Sequence, residues 1–547
     1  MSEPPTTSET KAAAPRSRLR RMLGALHPAH KHSVFSATVV LMVSTFLSRI
    51  IGLVRVKYIV WLFGRGVQAD AFNAAFVLPD MISYFLVGGA ASITFVTILT
   101  RYRESGREAE GERSLSVILT TMYLVLGAAI VLGEIFAPLY VHWWFHGFDQ
   151  KKAALCVELT RILLPAQLFF FAGGVFGAVL LVRKQFSVQA VAPLVYNLGT
   201  ILGGVFLVRQ LGVSSLAIGT VAGALLGPLL LNAIFAWRAG VRYRPIFDWK
   251  DEGLREWVRL SLPLIIGVSL VTADNWIIGY FASATGGAVT LMTNAKQLFT
   301  APMAVLAQAA GAASMPFFAS LWSQERREEF ASSVADSVSR VASLGLLAAS
   351  GMVALALPLV DLIFVGGRFS AADAKECAIY FAVFAVSICL WSAQAIYARA
   401  FYAAGNTLLP MIAGTAVTLA SLPIYAALYH AMGAIGLAVA SDIGIAVQTC
   451  ALAVLLHQRR MVSLASLDFA EMGRCLLAAV TSGAAVWAVF VLGLGRLTAA
   501  AGVAENRWTN GVALLLGTAA WALMTKVVLE TAGSALPRAM MKKLRQG

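Results

Sequence analysis

Apolar runs of about 20 residues recur along this chain of 547 residues, and such runs can be buried in few ways. Wound as a helix, one run spans ~30 Å, the hydrocarbon thickness of a bilayer. Lipid offers the backbone no hydrogen-bond partners, so each run must satisfy its own N–H and C=O groups, as a helix does. A membrane barrel would show alternating segments of ~10 residues, and none is evident. Composition agrees. The chain is 59% hydrophobic and 13% charged, whereas soluble domains sit near 45–50% apolar and ~25% charged. The predicted class is an all-α membrane protein.

The runs place about fourteen predicted transmembrane helices, at roughly 34–62, 70–99, 115–144, 155–182, 187–208, 213–237, 258–283, 287–321, 334–364, 376–403, 408–430, 432–456, 473–494 and 509–531. Charge tests this map independently. With both termini cytoplasmic, the tails and the loops after even-numbered spans hold roughly 28 of the 43 Lys and Arg, against roughly 8 on the other side. Residues 1–33 are polar and basic, and no apolar core precedes residue 34, which argues against a cleaved signal peptide. They are expected to form a disordered cytoplasmic tail, with Arg16, Arg18, Arg20 and Arg21 beside membrane lipid headgroups or serving only to set orientation.

The chain repeats itself. Ala91-Ser92-Ile93-Thr94-Phe95 leads into a charged loop and then an apolar run to Ala137-Pro138-Leu139. About 220 residues later, Ala313-Ser314-Met315-Pro316-Phe317 leads into a second charged loop and a run to Leu357-Pro358-Leu359. Spans 8–9 thereby align with spans 2–3. The predicted organisation is two parallel six-helix lobes, spans 1–6 (34–237) and 7–12 (258–456), around a central cavity. A cytoplasmic linker (238–257) joins them, two extra C-terminal helices (473–531) follow, and a basic tail (532–547) ends the chain. Parallel repeats of this kind build transporters.

Ionisable groups inside spans are costly and mark cavities or partners. Span 1 carries Arg49, Arg55 and Lys57. Asp70 and Asp80 lie in span 2, where Pro79 and Gly88-Gly89 predict a kink. Asp274 and Asn275 lie in span 7, and Lys296 and Gln297 in span 8. Lys57, Arg161 and Arg340 sit near span ends, where local pairing or snorkelling accounts for them. Arg49, Arg55 and Lys296 place cations from both lobes towards one space, which suits a phosphate or pyrophosphate headgroup. Asp274 with Asn275 is a candidate site for a coupling cation (Na+ or H+), although pairing of Asp274 with Lys296 is the more ordinary reading.

Other classes lack their residues. The histidines lie in the tail or near span ends, and the five cysteines form no CxxC pair or metal spacing. There is no GxxxxGK[ST] phosphate loop, so the driving force is expected from an ion gradient, the membrane potential or substrate supply. The net charge of +15 is spread over loops and tails, which argues against nucleic acid as a partner.

Phe46-Leu47-Ser48-Arg49-Ile50-Ile51-Gly52-Leu53-Val54-Arg55 resembles the opening Ser-Arg-x-x-Gly-x-x-Arg signature of the MurJ/MviN family of lipid II flippases. Phe63-Gly64, Ala69-Asp70-Ala71-Phe72 and Leu78-Pro79 continue the likeness in register. Gly367-Arg368-Phe369-Ser370-Ala371-Ala372-Asp373 and Ala400-Phe401-Tyr402-Ala403-Ala404-Gly405-Asn406-Thr407 resemble its second-lobe motifs. The resemblance implies export of lipid II, the lipid-linked peptidoglycan precursor, across the bacterial cytoplasmic membrane by alternating access. It implies no enzymatic activity, and it makes cell-wall synthesis proteins candidate partners. Arg49, Arg55 and Asp70 match its functional positions. The sequence departs from the family at Val56, Ser83, Tyr84 and Gly88-Gly89, and Gln297 stands where the family carries a cavity arginine, with Lys296 beside it. Three other readings stay open here: an exporter of another polyprenyl-pyrophosphate-linked oligosaccharide, a membrane enzyme of lipid-sugar chemistry, and a transport-inactive scaffold.

Overall fold

A computed structural model describes residues 34–87, 91–183, 185–266, 270–304, 306, 310–489 and 507–537. The expected N-terminal tail, Gly88-Gly89 and all but the first few residues of the C-terminal tail fall outside them. The first half of the chain contains α1 (Val34–Phe63), α2 (Val67–Ala74), α3 (Val77–Val87), α4 (Ala91–Glu104), α5 (Glu108–Trp144), α6 (Gln150–Leu163), α7 (Ala166–Val182), α8 (Phe186–Leu211), α9 (Ser214–Ala224) and, after a π-helical turn, α10 (Asn232–Arg238). The second half contains α11 (Glu252–Ile266), α12 (Leu270–Ala282), α13 (Ala288–Met303), α14 (Ala310–Ser323), α15 (Arg327–Ala354), α16 (Ala356–Phe364), α17 (Ala371–Val386), α18 (Ile388–Ala403), α19 (Leu408–Met432) and α20 (Ala434–Gln458). Two further helices, α21 (Phe469–Ala488) and α22 (Arg507–Thr531), pack on α15 and α16.

The repeat is visible in these bounds. Ala91–Glu104 pairs with Ala310–Ser323, Gln150–Leu163 with Ala371–Val386, and Ser214–Ala224 with Ala434–Gln458, each start about 220 residues after its mate.

Among the described residues, nine helices are long and apolar enough to cross a bilayer, or ten if α17 and α18, bent by 42°, form one span. The expected fourteen is therefore not reached by that measure. The difference falls on expected spans 1, 2, 7 and 8. Span 1 is a single helix, spans 2, 7 and 8 each include residues outside the described ones, and span 2 is also broken between α2 and α3. Backbone irregularity at membrane depth is tolerated where it lines a cavity rather than lipid. These same four spans supply most of the cavity described below.

Residues 258–283 are expected to form one span of the second lobe, and 267–269 lie outside the described residues. α11 packs on α3, α4 and α5 of the first half, while α12 packs on α19 and α20 of the second. Leu254 and Trp257 of α11 are buried with Phe95 and Phe171. Arg113 pairs with Asp248 at 3.1 Å, Ser114 donates to Asp251 at 3.1 Å, and Arg101 pairs with Glu256.

In the first half, α8 and α9 meet through glycine. A Cβ on Gly219 would lie 2.4 Å from the Gly199 carbonyl oxygen and 2.8 Å from the Gly203 Cα. Small residues four apart let membrane helices approach to backbone contact.

At one end of the bundle the halves are tied together. Gly287, at φ +79°, precedes α13 and offers no capping side chain. Asp70 of the first half caps that helix instead. Its carboxylate accepts from Gly287 N at 2.9 Å, Thr290 N at 3.0 Å and the Thr290 hydroxyl at 2.7 Å. Lys152 of α6 neutralises it at 3.0 Å, within reach of the Phe148 ring. Nearby, Arg65 pairs with Asp373 at 2.9 Å and with Glu376, while Lys57 donates to the Val365 carbonyl at 2.7 Å. The approach is tight: a Cβ on Gly147 would lie 2.2 Å from the Ala284 Cα.

Two outcomes follow from this packing. Gly219→Val should cost about 3 kcal/mol of overpacking, read as a lowered unfolding midpoint in detergent, whereas Gly127→Ala, with nothing within 4 Å of its Cβ, should not lower it. Asp70→Ala should destabilise by about 3–5 kcal/mol, because Lys152 is left buried without its counter-charge and α13 loses its cap. Lys152→Met should cost clearly less, since Asp70 keeps three donors from the helix start; equal losses would refute the capping role.

Candidate functional site

Between the halves lies a cavity of about 470 Å³. α1, α2, α3 and α8 line one side with Arg55, Asn73, Phe76, Asp80, Tyr196 and Asn197. α12, α13 and α18 line the other with Asp274, Asn275, Trp276, Asn294, Lys296, Gln297 and Trp391. The charges thus come from both halves.

Lys296 pairs with Asp274 and donates to Asn275 Oδ1 at 2.8 Å, with its ammonium 5.5 Å from the Phe384 ring centre. Twenty-two positions separate the pair, yet adjacent antiparallel helices bring them together. The Asp274 side chain is 1% exposed and that of Lys296 15%. Two hydroxyls complete the carboxylate: Tyr425 donates to Oδ1, and Ser441 to Oδ2 at 2.9 Å. Hydrogen bonds of this kind stabilise a carboxylate that water cannot reach.

On the opposite wall, the Arg55 guanidinium lies 5.8 Å from the centre of the Tyr196 ring, and its Nε is buried without a hydrogen-bond partner. Asp80 is exposed to the cavity and has no hydrogen bond or ion pair from its side chain among the described residues. The described lining therefore carries two cations, Arg55 and Lys296, and two carboxylates, Asp80 and Asp274. The cation-dominated cavity expected from the sequence is replaced by a balanced one. The physical reason is that Lys296 spends its charge on Asp274.

Five carboxamides share the lining: Asn73, Asn197, Asn275, Asn294 and Gln297. Asn294 is 1% exposed, and its Nδ2 has no partner. Gln297 faces α1, since a Cβ on Gly52 would stand 3.7 Å from its Nε2. A wall of amides and aromatic rings can bond a polar, uncharged ligand and stack on its apolar faces.

Of the residues singled out in the sequence, Arg55, Asp274, Asn275, Lys296 and Gln297 meet at this cavity. Asp70 lies apart, fully buried in the tie between the halves. Arg49 is half-buried on α1, about 9 Å along the helix axis from Arg55, and does not line the cavity. It has no ion pair or hydrogen bond among the described residues. Sequence reasoning missed the roles of Tyr425, Ser441 and Lys152 as partners, and the carboxamides as a group. Asn197 and Asn294, polar amides inside otherwise apolar runs, were the available signal. Among the described residues no three His, Cys, Asp or Glu side chains converge as metal ligands.

Two apolar grooves flank α15. One, of about 540 Å³, runs along α22 past Leu344, Leu347, Trp521 and Leu529 to Leu306. The other, of about 390 Å³, lies against α21 past Leu346, Val353, Val480 and Trp487.

Comparison with known proteins places this architecture. The family model described as "Lipid II flippase MurJ" matches residues 59–510. A Vibrio cholerae protein named "Probable lipid II flippase MurJ" is 26% identical over 457 residues, covering 81% of this chain and 87% of its own length. A Thermotoga maritima protein of the same name is 26% identical over 412 residues, covering 75% of this chain and 83% of its own. A solved structure of "Lipid II flippase MurJ, inward closed conformation" superimposes with a TM-score of 0.73 at 18% identity, covering 90% of this chain and 99% of that one. An inward-facing multidrug resistance MATE family transporter of the MOP superfamily superimposes at 0.62, with 16% identity, covering 76% of this chain and 98% of its own. These two structural likenesses show the fold, and the family match covers most of the chain. The chain is a multi-pass membrane protein and belongs to the lipid II flippase MurJ family.

Proposed function

We propose that this protein is a flippase that carries lipid II across the bacterial cytoplasmic membrane to supply cell-wall synthesis. The observation that supports it most is a polar cavity bounded by both halves of a chain of this family. The diphosphate of the headgroup is bound from the Arg55 side, where the guanidinium keeps an unspent donor. The carboxamides and tryptophans take the sugar hydroxyls and the amide groups of the peptide. The polyprenyl tail stays apolar, in the groove between α15 and α22, whose Leu306 lies three residues beyond the cavity-lining Met303.

Orientation rests on charge. The basic loops around Arg101–Arg113, Arg238–Arg259 and Arg326–Arg327 lie at the end opposite the tie, and an excess of Lys and Arg marks the cytoplasmic side. Both termini are then cytoplasmic, and the tie formed by Asp70, Arg65 and Lys57 closes the outer end. In this state the headgroup is shut off from the exterior. Transport requires the tie to open while the halves rock about the cavity.

The test is rescue. A bacterial strain depleted of its own flippase should survive on this chain, and lipid II should stop accumulating on the inner leaflet. Arg55→Glu should abolish rescue at normal membrane abundance, because it sets a carboxylate beside Asp80 where the diphosphate binds. Rescue by Arg55→Glu would reject the diphosphate site. Failure of the unaltered chain, with export of a different polyprenyl-linked oligosaccharide in its host, would reject lipid II as the substrate.

A further inference from the structure

The second half contributes an ion pair to the cavity wall. Lys296 and Asp274 both line it, Lys296 with a 15% exposed side chain and Asp274 with a 1% exposed one. An anionic headgroup in this cavity competes with Asp274 for the Lys296 ammonium. We propose that Lys296 is an exchangeable counter-ion: the headgroup draws it from Asp274, and Asp274 takes up one proton in its place. This rests on the flippase reading, which supplies the diphosphate.

The charge arithmetic forces the exchange. A carboxylate buried without a counter-charge is too costly to persist, so the group neutralises instead. Its surroundings accommodate the proton. Tyr425 and Ser441 bond through hydroxyls that rotate freely, and Asn275 Oδ1, vacated as Lys296 leaves, becomes an acceptor for the new O–H. No bond changes other than the O–H formed on Asp274, with solvent as the proton source, and Lys296 remains an ammonium throughout. The neighbours favour arrival of positive charge. Asp442 of α20 follows Ser441 and has a buried oxygen without a partner. The titratable or charged groups around Asp274 are Lys296 on α13, Tyr425 on α19 and Asp442 on α20, with Cys389 of α18 beside Asp442. Arg55 and Asp80 face it across the cavity from the first half.

The sign follows by linkage. If binding takes up a proton, affinity rises as pH falls, by up to tenfold per unit where uptake is complete. The full chain in nanodiscs would be titrated with lipid II between pH 6 and 8, in buffers of different ionisation heat. The proposal expects uptake of about one proton per lipid II and affinity that weakens with rising pH. Asp274→Asn should lose the uptake of one proton per lipid II, leaving a shallower pH dependence than the wild type. Lys296→Met should bind more weakly and show the same shallower profile, since Asp274 then stays protonated in both states. Should Asp274→Asn lose its fold, Tyr425→Phe serves as the second variant, with a displaced pH midpoint expected. A wild-type affinity flat across this range overturns the exchange while leaving the flippase reading standing, as does an Asp274→Asn profile with the wild-type slope. Dependence on sodium rather than pH overturns it too. Absence of any lipid II binding overturns both readings together.

Discussion

The closed end of this molecule depends on one carboxylate. Asp70 serves as cap for a helix of the opposite half and as counter-ion for a lysine of its own half. The division of labour matters for opening. Lys152 belongs to the same half as Asp70, so the ion pair moves as a unit when the halves separate. What is lost is contact between a compensated carboxylate and a helix start, both of which then meet water. Contacts of that kind are worth about 1 kcal/mol each after solvent exchange. Separating two buried opposite charges would cost several times more. The neighbouring Arg65 contacts are partly exposed, with side-chain accessibility of 41% for Arg65, and such pairs contribute about 0–1 kcal/mol. The tie is therefore a sum of modest terms, reversible on the scale a transport cycle needs, and its specificity comes from close backbone approach at Gly147 and Gly367.

The cavity obeys a related constraint. A cluster of unpaired cations at membrane depth would be expensive in the empty state, and the site avoids it. Lys296 is neutralised by Asp274, Arg55 rests against the Tyr196 ring, and amides fill much of the remaining surface. Positive charge is held in reserve rather than displayed. A phosphate ligand that draws on Lys296 as well as Arg55 must displace Asp274 from it, which makes binding selective for ligands that bring other contacts as well. The sugars and peptide of a headgroup bring such contacts to Asn73, Asn197 and Asn294.

Much of the fold was legible in the sequence because it is periodic. The repeat of about 220 residues and the bias of Lys and Arg to one side depend on local composition, and local composition survives folding. The Asp274–Lys296 pair was legible for a similar reason, being two opposite charges in consecutive spans. The role of Asp70 was not. Two of its partners are backbone N–H groups of Gly287 and Thr290, which have no side-chain signature and lie 217 and 220 positions away. Lys152 precedes the expected fourth span, and only the packing of α2 on α6 buries it. The count of fourteen spans is not confirmed, and of the four spans left open, 2, 7 and 8 include residues outside the described ones.

Packing also decides which half carries each side of the site. α11 belongs by packing to the first half, and α12 to the second. Asp274 and Asn275 lie on α12, and Lys296 sits on α13, which packs on α12 and α17 of the same half. All three must therefore travel with the second half. Arg55 and Asp80 travel with the first. The two sides of the cavity are thus mounted on different halves, and a ligand held by both sides resists their separation at the cavity while the tie resists it at the end. In the proposed transport cycle, closure around a headgroup at one end and release of the tie at the other are two consequences of one rotation. A ligand too small to touch both walls would stabilise neither position over the other, and would not be carried.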